Sequence, residues 1–295
     1  MHITVIHNPT SGFAQLPKDE LLSRLRSQGY QAVYRSSKTD DLPQMLQDPG
    51  SLVVVAGGDG TVGKVAKHLV GRGVPIGLLS LGTANNIART LAGFGYARQQ
   101  ITAWDSSQRK PYDVGLVQGI WGKMMFLEAV GFGIFAKLIT VMDNDKNKRQ
   151  RTSSGREDEL HDVLGTLCEI LSQYKAYDCS VALDGVDYSG QYLAVEVMNI
   201  RSIGPNVDLA PQADPGDGMF DVVFISENDR EGLNTYINKR LRGEAATLKT
   251  TVRRAKRITI ALTGRLQAHI DDEIVSTDSS AALDVTLNPS ALEFL

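Results

Sequence analysis

Short apolar runs alternate with segments of helical spacing over the first hundred residues. The strand-like runs are Ile3 to Ile6, Gln31 to Arg35, Leu52 to Ala56 and VPIGLLS. The segments with helical spacing cover Lys18 to Gln28 and Asp41 to Gln47, and two more begin at Thr61 and at about Ala84. Strands that alternate with helices in this way predict a mostly parallel sheet covered by helices.

The rest of the chain has a different rhythm. After about Lys110, short strand-like segments follow one another, joined by Gly, Asp and Asn turns, which predicts a mainly antiparallel β domain. One helix, from about Glu157 to Tyr174, interrupts these segments. We therefore predict an α/β domain over residues 1–111 and a β domain over residues 112–295, with the last strand returning toward the first domain.

Composition limits the class of protein. The formal net charge of −3 argues against a general nucleic-acid-binding protein, and no apolar run approaches the roughly 20 residues that a membrane span needs. The start MHITVIHNPT lacks the basic and apolar segments of a secretory signal. The chain has two cysteines, which is too few for a disulfide framework. We expect a cytoplasmic protein.

The segment Gly57-Gly58-Asp59-Gly60 separates an apolar strand from an amphipathic helix. Glycine backbone and a helix N-terminus together form a cradle for phosphate. Asp59 would repel a phosphate unless a cation lies between them, which indicates Mg²⁺ with a nucleotide. Helix capping by Asp59 in a tight βα turn is an equal alternative. The pattern matches neither a Walker A loop nor a Gly-x-Gly-x-x-Gly loop.

A second polar loop, LSLGTANNIART, follows the next strand and opens another helix. Loops that follow neighbouring parallel strands lie at the same sheet edge, where ligands bind in such folds. We expect both loops to line one cleft.

Three motifs then carry a resemblance to a known family. NPTSG (Asn8 to Gly12), GGDGT (Gly57 to Thr61) and LGTANNIAR (Leu81 to Arg89), in this order, resemble the diacylglycerol kinase catalytic domain family, which includes bacterial soluble lipid kinases, sphingosine kinases and ceramide kinases. FLEAVGFG and APQADPGDGMFDVVFI are similar to later family segments, and HIDDEIV lies where the family has Asp-Gly-Glu. The resemblance covers essentially the whole chain.

The resemblance implies a fold and a reaction. The expected fold is a Rossmann-like N-terminal domain, related to phosphofructokinase and NAD kinase, followed by an antiparallel β-sandwich domain, with the active site in the interdomain cleft. The implied reaction is the Mg²⁺-assisted transfer of the ATP γ-phosphoryl group to the hydroxyl of a diacylglycerol-like lipid.

Site residues follow from the same resemblance by matching position. The expected nucleotide-binding residues are Asn8, Ser36, Gly57, Gly58, Asp59, Gly60, Thr61 and Thr83. Glu273 matches the glutamate of Asp-Gly-Glu and is the expected general base, while Asp59 would act mainly through Mg²⁺. A structural Mg²⁺ is implied at Asp217 with the backbone oxygens of Asp214 and Met219, and a plain hairpin turn is the alternative there.

The sequence departs from the family pattern at several positions. Gly63 and Lys64 replace a usual Asn-Glu, Asn86 replaces a frequent Asp, and Asp272 replaces the glycine of Asp-Gly-Glu. These departures keep a second interpretation open, a nucleotide- or lipid-binding regulator with altered catalysis. An NAD kinase-like enzyme is a third, since that group shares Gly-Gly-Asp-Gly, but LGTANNIAR matches the lipid kinase form.

One segment is strongly basic. Lys239 to Arg257 holds eight Lys or Arg residues and one acid, Glu244. Such a density attracts anionic lipid headgroups, so we expect transient peripheral contact with a membrane surface; a solvated strand face is an equal alternative. The predicted loop MDNDKNKRQRTSSGRE, with Lys146, Lys148, Arg149 and Arg151, is a second basic candidate. The sequence leaves the oligomeric state open, a dimer included.

Overall fold

The computed structural model describes residues 2–12, 16–39, 41–91, 101, 104, 108–146, 155–262, 266–277 and 281–295. The chain divides into two compact units: unit 1 is Met1–Val114 with Pro289–Leu295, and unit 2 is Gly115–Asn288. Residues 147–154, which hold half of the predicted loop and three of its named basic residues (Lys148, Arg149 and Arg151), lie outside the described part of the chain.

Unit 1 has the predicted alternation of strands and helices. Its elements are β1 (His2–His7), α1 (Lys18–Ser27), β2 (Gln31–Ser36), α2 (Leu42–Met45), β3 (Leu52–Gly57), α3 (Asp59–Lys67), β4 (Ile76–Ser80) and α4 (Asn86–Thr90). Helix α3 begins two residues before the predicted Thr61, because the Gly58 carbonyl already accepts the N–H groups of Thr61 and Val62. Helix α4 begins after the predicted Ala84, since Asn85 has a left-handed φ of 53°.

The sheet of unit 1 is parallel, with the order β4-β3-β1-β2. The chain passes from β1 to β2 on one side and then returns to β3 on the other, so the strand order reverses between β1 and β3. Ligands in open α/β sheets bind beyond the carboxyl ends of the strands at such a reversal. The loops that follow β1 and β3 are the first two of the three N-terminal motifs.

Apolar side chains on both faces of this sheet explain why it forms. Residues Leu52 to Gly57 of β3 are all buried, as a parallel strand covered on both faces requires. Helix α1 buries Leu21, Leu22 and Leu25, which lie on one face at helical spacing. Gly29 follows that helix with a φ of 81°, a left-handed conformation that glycine adopts without strain.

Unit 2 is built mainly of antiparallel strands, and the division between the units falls within β5 and β19. The strands are β5 (Lys110–Gly119), β6 (Gly122–Phe126), β7 (Ala129–Gly133), β8 (Tyr177–Leu183), β9 (Val186–Asp187), β10 (Gly190–Tyr192), β11 (Ala194–Met198), β12 (Ser202–Ile203), β13 (Val207–Asp208), β14 (Phe220–Ile225), β15 (Thr251–Ala255), β16 (Arg257–Leu262), β17 (Leu266–Ile270), β18 (Glu273–Thr277) and β19 (Ala281–Phe294). The helices are α5 (Ile134–Lys146), α6 (Arg156–Gln173), a 3₁₀ turn (Glu227–Asp229) and α7 (Arg230–Leu241).

Two sheets of unit 2 pack face to face. One has the order β15-β14-β11-β7-β17-β18, and the other contains β10, β8, β16 and the first part of β19. One buried cluster joins apolar residues of the first sheet (Phe132, Val195 and Val222) to those of the second (Val181, Ile258 and Val285). The predicted antiparallel β-sandwich is confirmed.

The prediction of a single helix in the second half is wrong, since α5 and α7 accompany α6. Together they bury a second cluster on the other face of the six-stranded sheet, through Leu138, Leu167 and Leu233. The start of α5, Ile134-Phe135-Ala136, directly follows a strand without a capping residue, so it looked like a continuation of β structure. In α7 the polar residues outnumber its buried Leu233, Tyr236 and Ile237.

Candidate functional site

Three loops of unit 1 meet beyond the carboxyl ends of β1, β3 and β4, and glycines make their contact close. Gly12 has a φ of 59°, and a Cβ there would lie 2.1 Å from the Leu81 carbonyl oxygen. A Cβ on Gly58 would lie 2.9 Å from the Gly82 Cα. Side chains at these positions would therefore push the loops apart. The structure brings GGDGT and LGTANNIAR together, as the sequence predicted, and adds NPTSG to them.

Asn8 ties the first loop to the second. Its backbone N–H donates to the Ala56 carbonyl at 2.8 Å, and its side-chain Nδ2 donates to Thr61 Oγ1 at 3.2 Å. Its Oδ1 accepts the Thr10 N–H at 3.2 Å, which closes the turn of the NPTSG loop. The side chain of this predicted nucleotide-binding residue is therefore already committed to organising the loops.

Asp59 is the residue that links the second loop to the third. Its Oδ2 accepts the Asn86 N–H at 2.9 Å and its Oδ1 accepts the Ile87 N–H at 3.1 Å. Asp59 opens α3 but caps α4, which neither sequence interpretation anticipated. Burial raises the pKa of its carboxyl group, while the backbone N–H groups act in the opposite direction.

Asn85 shapes the third loop, although it is not among the residues predicted from the sequence. Its left-handed φ of 53° lets its side chain turn back onto Gly82, where Oδ1 accepts the N–H at 2.9 Å and Nδ2 donates to the carbonyl at 2.7 Å. The predicted nucleotide-binding residue Thr83 lies inside the loop that this pair of hydrogen bonds closes. The Asn-Asn pair at the start of α4 is the signal that was available, since asparagine tolerates this conformation better than most residues.

The remaining predicted residues of unit 1 lie around the same loops. Gly57 ends β3, and a Cβ there would lie 2.7 Å from the Cβ of Thr61, so its role includes packing. Gly60 is exposed in the first turn of α3. Ser36 ends β2 opposite His7 in register, and its Oγ accepts the Lys38 N–H at 3.3 Å.

Mg²⁺ fits Asp59 only in an indirect role. The carboxylate already accepts the backbone N–H groups of Asn86 and Ile87, and those of Asn85 and Asp59 itself also stabilise its ionised form. An ionised carboxylate offers about four lone-pair sites, so Mg²⁺ would have to share them through a bound water. In the described part of the chain no group of three or more His, Cys, Asp or Glu side chains could hold a metal ion.

Glu273 belongs to unit 2, where it is exposed at the start of β18. It follows the Asp271-Asp272 turn of the β17–β18 hairpin, in which Ile270 pairs with Glu273. Asp272 stands where the family pattern has glycine, but the left-handed φ of 52° falls on its neighbour Asp271. The Asp271 carboxylate accepts the N–H groups of Leu127 at 3.0 Å and Glu128 at 2.8 Å, which anchors the turn.

The predicted metal site at Asp214, Asp217 and Met219 forms a hydrogen-bonded turn. Asp217 Oδ1 accepts the Met219 N–H at 3.0 Å, and Asp217 Oδ2 pairs with the Arg254 guanidinium. The Asp214 carbonyl accepts the Asp217 N–H at 3.3 Å. The turn does not fit Mg²⁺ in this arrangement, because Arg254 supplies the positive charge on the one side-chain ligand. The metal site stays a prediction.

About half of the basic side chains in Lys239 to Arg257 have partners inside the protein. Arg240 donates to the Asn206 carbonyl at 3.0 Å, and Arg242 pairs with Glu244 at 2.6 Å. Arg254 pairs with Asp217, and Arg257 lies 3.6 Å from Asp284. The segment is therefore less available to anionic lipid than its sequence indicates. None of the helices in the described ranges has the length and apolar character needed to cross a bilayer.

Comparison with known proteins agrees with this architecture. Residues 2–117 match the family model "Diacylglycerol kinase catalytic domain", and residues 138–295 match "YegS C-terminal NAD kinase beta sandwich-like domain". The chain belongs to the family of two-domain proteins that join these domains, a family of phosphotransferases.

Its relatives are individually distant. The chain is 25% identical over 283 residues to a diacylglycerol kinase of Bacillus subtilis (strain 168), a match covering 91% of this chain and 88% of the relative. It is 24% identical over 310 residues to a diacylglycerol kinase of Mycobacterium tuberculosis (strain ATCC 25618 / H37Rv), covering 99% and 94%. The solved structure of a diacylglycerol kinase from Bacillus anthracis str. Sterne shares the fold, with a TM-score of 0.70, 18% identity, and coverage of 99% and 96%.

Proposed function

We propose that this protein is an ATP-dependent lipid kinase that transfers the γ-phosphoryl group to the hydroxyl of a diacylglycerol-like lipid. The observation that carries the proposal is the convergence of the three glycine-bearing loops, held together by Asp59, at the point where the strand order of unit 1 reverses. The names of the relatives support a lipid as the acceptor.

Unit 1 would hold the nucleotide. The first turn of α3 presents backbone N–H groups beside the glycines, an arrangement that favours phosphate. In this proposal Gly60 and Thr83 approach the nucleotide, Asn8 and Asp59 hold the loops in place, and Ser36 lies at the neighbouring strand end. Mg²⁺, when bound with ATP, would neutralise phosphate charge, and Asp59 is its candidate partner through water.

Unit 2 would supply the general base. Glu273 is exposed, so an acceptor hydroxyl can reach it, and it directly follows a two-residue turn that Asp271 fixes to the backbone of residues 127–128. Removal of the hydroxyl proton by a positioned carboxylate typically contributes about 10²- to 10⁴-fold to the rate. The Asp-Asp-Glu form of the motif keeps this glutamate directly after the turn.

The test is a transfer assay with labelled ATP, Mg²⁺ and vesicles that contain diacylglycerol, sphingosine, ceramide or phosphatidylglycerol. We expect labelled lipid from the wild-type protein and a loss of at least 100-fold with Glu273→Gln, at unchanged ATP affinity. Undiminished turnover in Glu273→Gln would reject the base. ATP binding without any labelled lipid would favour the regulator, and labelled NADP from added NAD would favour an NAD kinase-like enzyme.

We also propose peripheral contact with anionic membranes through Lys249 and Lys256, together with Lys239 and Arg253. Among the described residues these four basic side chains form no ion pair with an acid, unlike Arg242, Arg254 and Arg257. Each of the four contributes about 1 kcal/mol near an anionic surface. Sedimentation with phosphatidylglycerol vesicles should fall when Lys249 and Lys256 are changed to Gln. Binding unchanged by this substitution and by added salt would contradict the proposal.

A further inference from the structure

A buried acid–histidine pair crosses the six-stranded sheet of unit 2. Glu196 on β11, Gly131 on β7 and His269 on β17 occupy one row, since Glu196 and His269 are both register partners of Gly131. The Glu196 side chain passes over Gly131, and its Oε2 lies 2.7 Å from His269 Nε2. A Cβ on Gly131 would lie 1.9 Å from that oxygen, so only glycine leaves room for the pair.

Burying this pair away from water is unfavourable for the stability of the fold. Both residues are 0% exposed, on the sheet face whose other side chains include Ala129, Met198 and Val223. Glu196 Oε1 has no hydrogen-bond partner among the described residues. Burial raises the pKa of Glu196, which His269 opposes. Burial acts to lower the pKa of His269, but Glu196 and Asp271 together oppose it and leave that pKa above its usual value. An apolar pair at these positions would avoid the free energy of desolvating a carboxyl group and an imidazole, so stability alone does not explain the arrangement.

The other side of the imidazole contacts the turn that carries Glu273. His269 Nδ1 lies 3.0 Å from the Asp271 carbonyl oxygen. A carbonyl only accepts, so Nδ1 carries a proton and donates it. Nε2 then either donates to an ionised Glu196 or accepts from a protonated one, and in both states the ring orientation is fixed. This is how a carboxylate orients a histidine in other sites.

The turn itself has two more anchors. The Asp271 N–H donates to the Ala129 carbonyl at 2.8 Å, and the Asp271 carboxylate holds the backbone of residues 127 and 128. These two anchors fix the N–H and the side chain of Asp271. The hydrogen bond from His269 fixes its carbonyl, and the peptide plane of that carbonyl leads toward Asp272 and Glu273.

We infer that Glu196 and His269 are positioning residues for Glu273. Glu196 orients the His269 ring, and His269 donates to the Asp271 carbonyl, which fixes the orientation of the β17–β18 turn. The inference rests on the proposed function, in which Glu273 is the general base. A base displaced by about 1 Å loses rate by up to roughly 100-fold, while nucleotide binding in unit 1 is unaffected.

The first test compares variants in the transfer assay. Glu196→Gln keeps a hydrogen-bonding partner for Nε2, and we expect its kcat within about 3-fold of wild type. Glu196→Leu and His269→Phe remove the contact, and we expect kcat to fall about 10- to 100-fold with unchanged ATP affinity. In a Glu273→Gln background the same substitutions should cause no further loss, because they act through Glu273. Equal losses in both backgrounds would overturn the inference.

A second measurement does not depend on activity. Hydrogen–deuterium exchange in peptides covering residues 266–277 should rise in His269→Phe, with residues 194–198 still protected. His269→Gln, which keeps the contact with Glu196 but lacks the donor to the Asp271 carbonyl, serves if His269→Phe does not fold. Unchanged exchange at the turn would overturn the inference. If exchange rises as expected while Glu273→Gln retains full turnover, the proposed base has failed, and the pair's hold on the turn stands.

Discussion

The carboxylate of Asp59, the first residue of α3, accepts the backbone N–H of Asn86, the first residue of α4, at 2.9 Å. One side chain thus connects two loops that are 27 positions apart in sequence. The family resemblance assigns Asp59 to Mg²⁺, and the structure adds a role that needs no ligand.

Asp59→Asn should therefore weaken the fold as well as the activity. An amide can accept one of the two N–H groups with its oxygen, but its NH₂ group faces the other. We expect a loss of roughly 2 kcal/mol in the free energy of unfolding, together with weaker ATP binding. Urea unfolding and nucleotide titration would measure the two effects. Asp19→Asn, at an exposed site in α1, is the matched control, and equal stability of the two variants would contradict the capping role.

Two glycines near the site should respond to alanine in opposite directions. A Cβ on Gly82 would lie 2.4 Å from the Gly58 Cα, so Gly82→Ala must separate the loops and should abolish measurable nucleotide binding. Gly63 lies inside α3 with nothing within 4 Å of a Cβ, so Gly63→Ala should stabilise the protein by up to about 1 kcal/mol. Nucleotide titration of Gly82→Ala and thermal unfolding of Gly63→Ala would test these expectations. A lower unfolding temperature for Gly63→Ala would contradict the open space around Gly63.

The ion pair of Arg254 with Asp217 leads to a prediction on metal removal. Without nucleotide, Mg²⁺ and EDTA should give the same unfolding midpoint in the wild-type protein, because Arg254 already compensates the carboxylate. Arg254→Gln should lower the midpoint slightly and make it sensitive to Mg²⁺. Arg253→Gln, at the adjacent position, is the control. A midpoint that rises with Mg²⁺ in the wild type would establish the metal site predicted from the family.

The two cysteines should differ in reactivity. Burial raises the pKa of Cys179 to about 12, whereas Cys168 is partly exposed in α6. The thiolate is the reacting form, so iodoacetamide near pH 8 should label Cys168 and spare Cys179 in the native protein. Mass spectrometry of the labelled peptides would test this. Rapid labelling of Cys179 before unfolding would show that β8 opens readily.

His7 should contribute to acid sensitivity. It is 2% exposed, its Nδ1 lies 3.0 Å from the Tyr34 hydroxyl, and burial lowers its pKa from 6.5. The unfolded state then binds the proton more readily, so this contribution to stability is present above pH 6.5 and is lost as the pH falls through the lowered value. His7→Gln should make the urea unfolding midpoint fall less steeply as the pH decreases below 6.5. An unchanged slope would contradict the assignment.

The sequence predicted the fold class and the meeting of the loops after β3 and β4 because both depend on local patterns. Apolar strands such as β3 and the glycines beside them show their roles in one stretch of chain. Prediction from the sequence failed where the role of a residue depends on neighbours that are distant along the chain. The partner of Asp59 lies in another loop, and Gly131 makes room for a side chain from one neighbouring strand to reach the next. Helix α5 was missed for a related reason, since packing on the sheet, and not its own capping or pattern, determines it.

Strand β19 brings the end of the chain into unit 1, where Phe294 pairs with Ile76 and the Leu295 N–H donates to the Ile76 carbonyl. Unit 1 is therefore assembled from two separate parts of the chain, with all of unit 2 inserted between them. During synthesis the sandwich emerges before the strand segment that completes the parallel sheet. Unit 1 is thus completed only after unit 2 has been made, and removal of residues 289–295 should destabilise unit 1 although its other residues precede unit 2 in the chain.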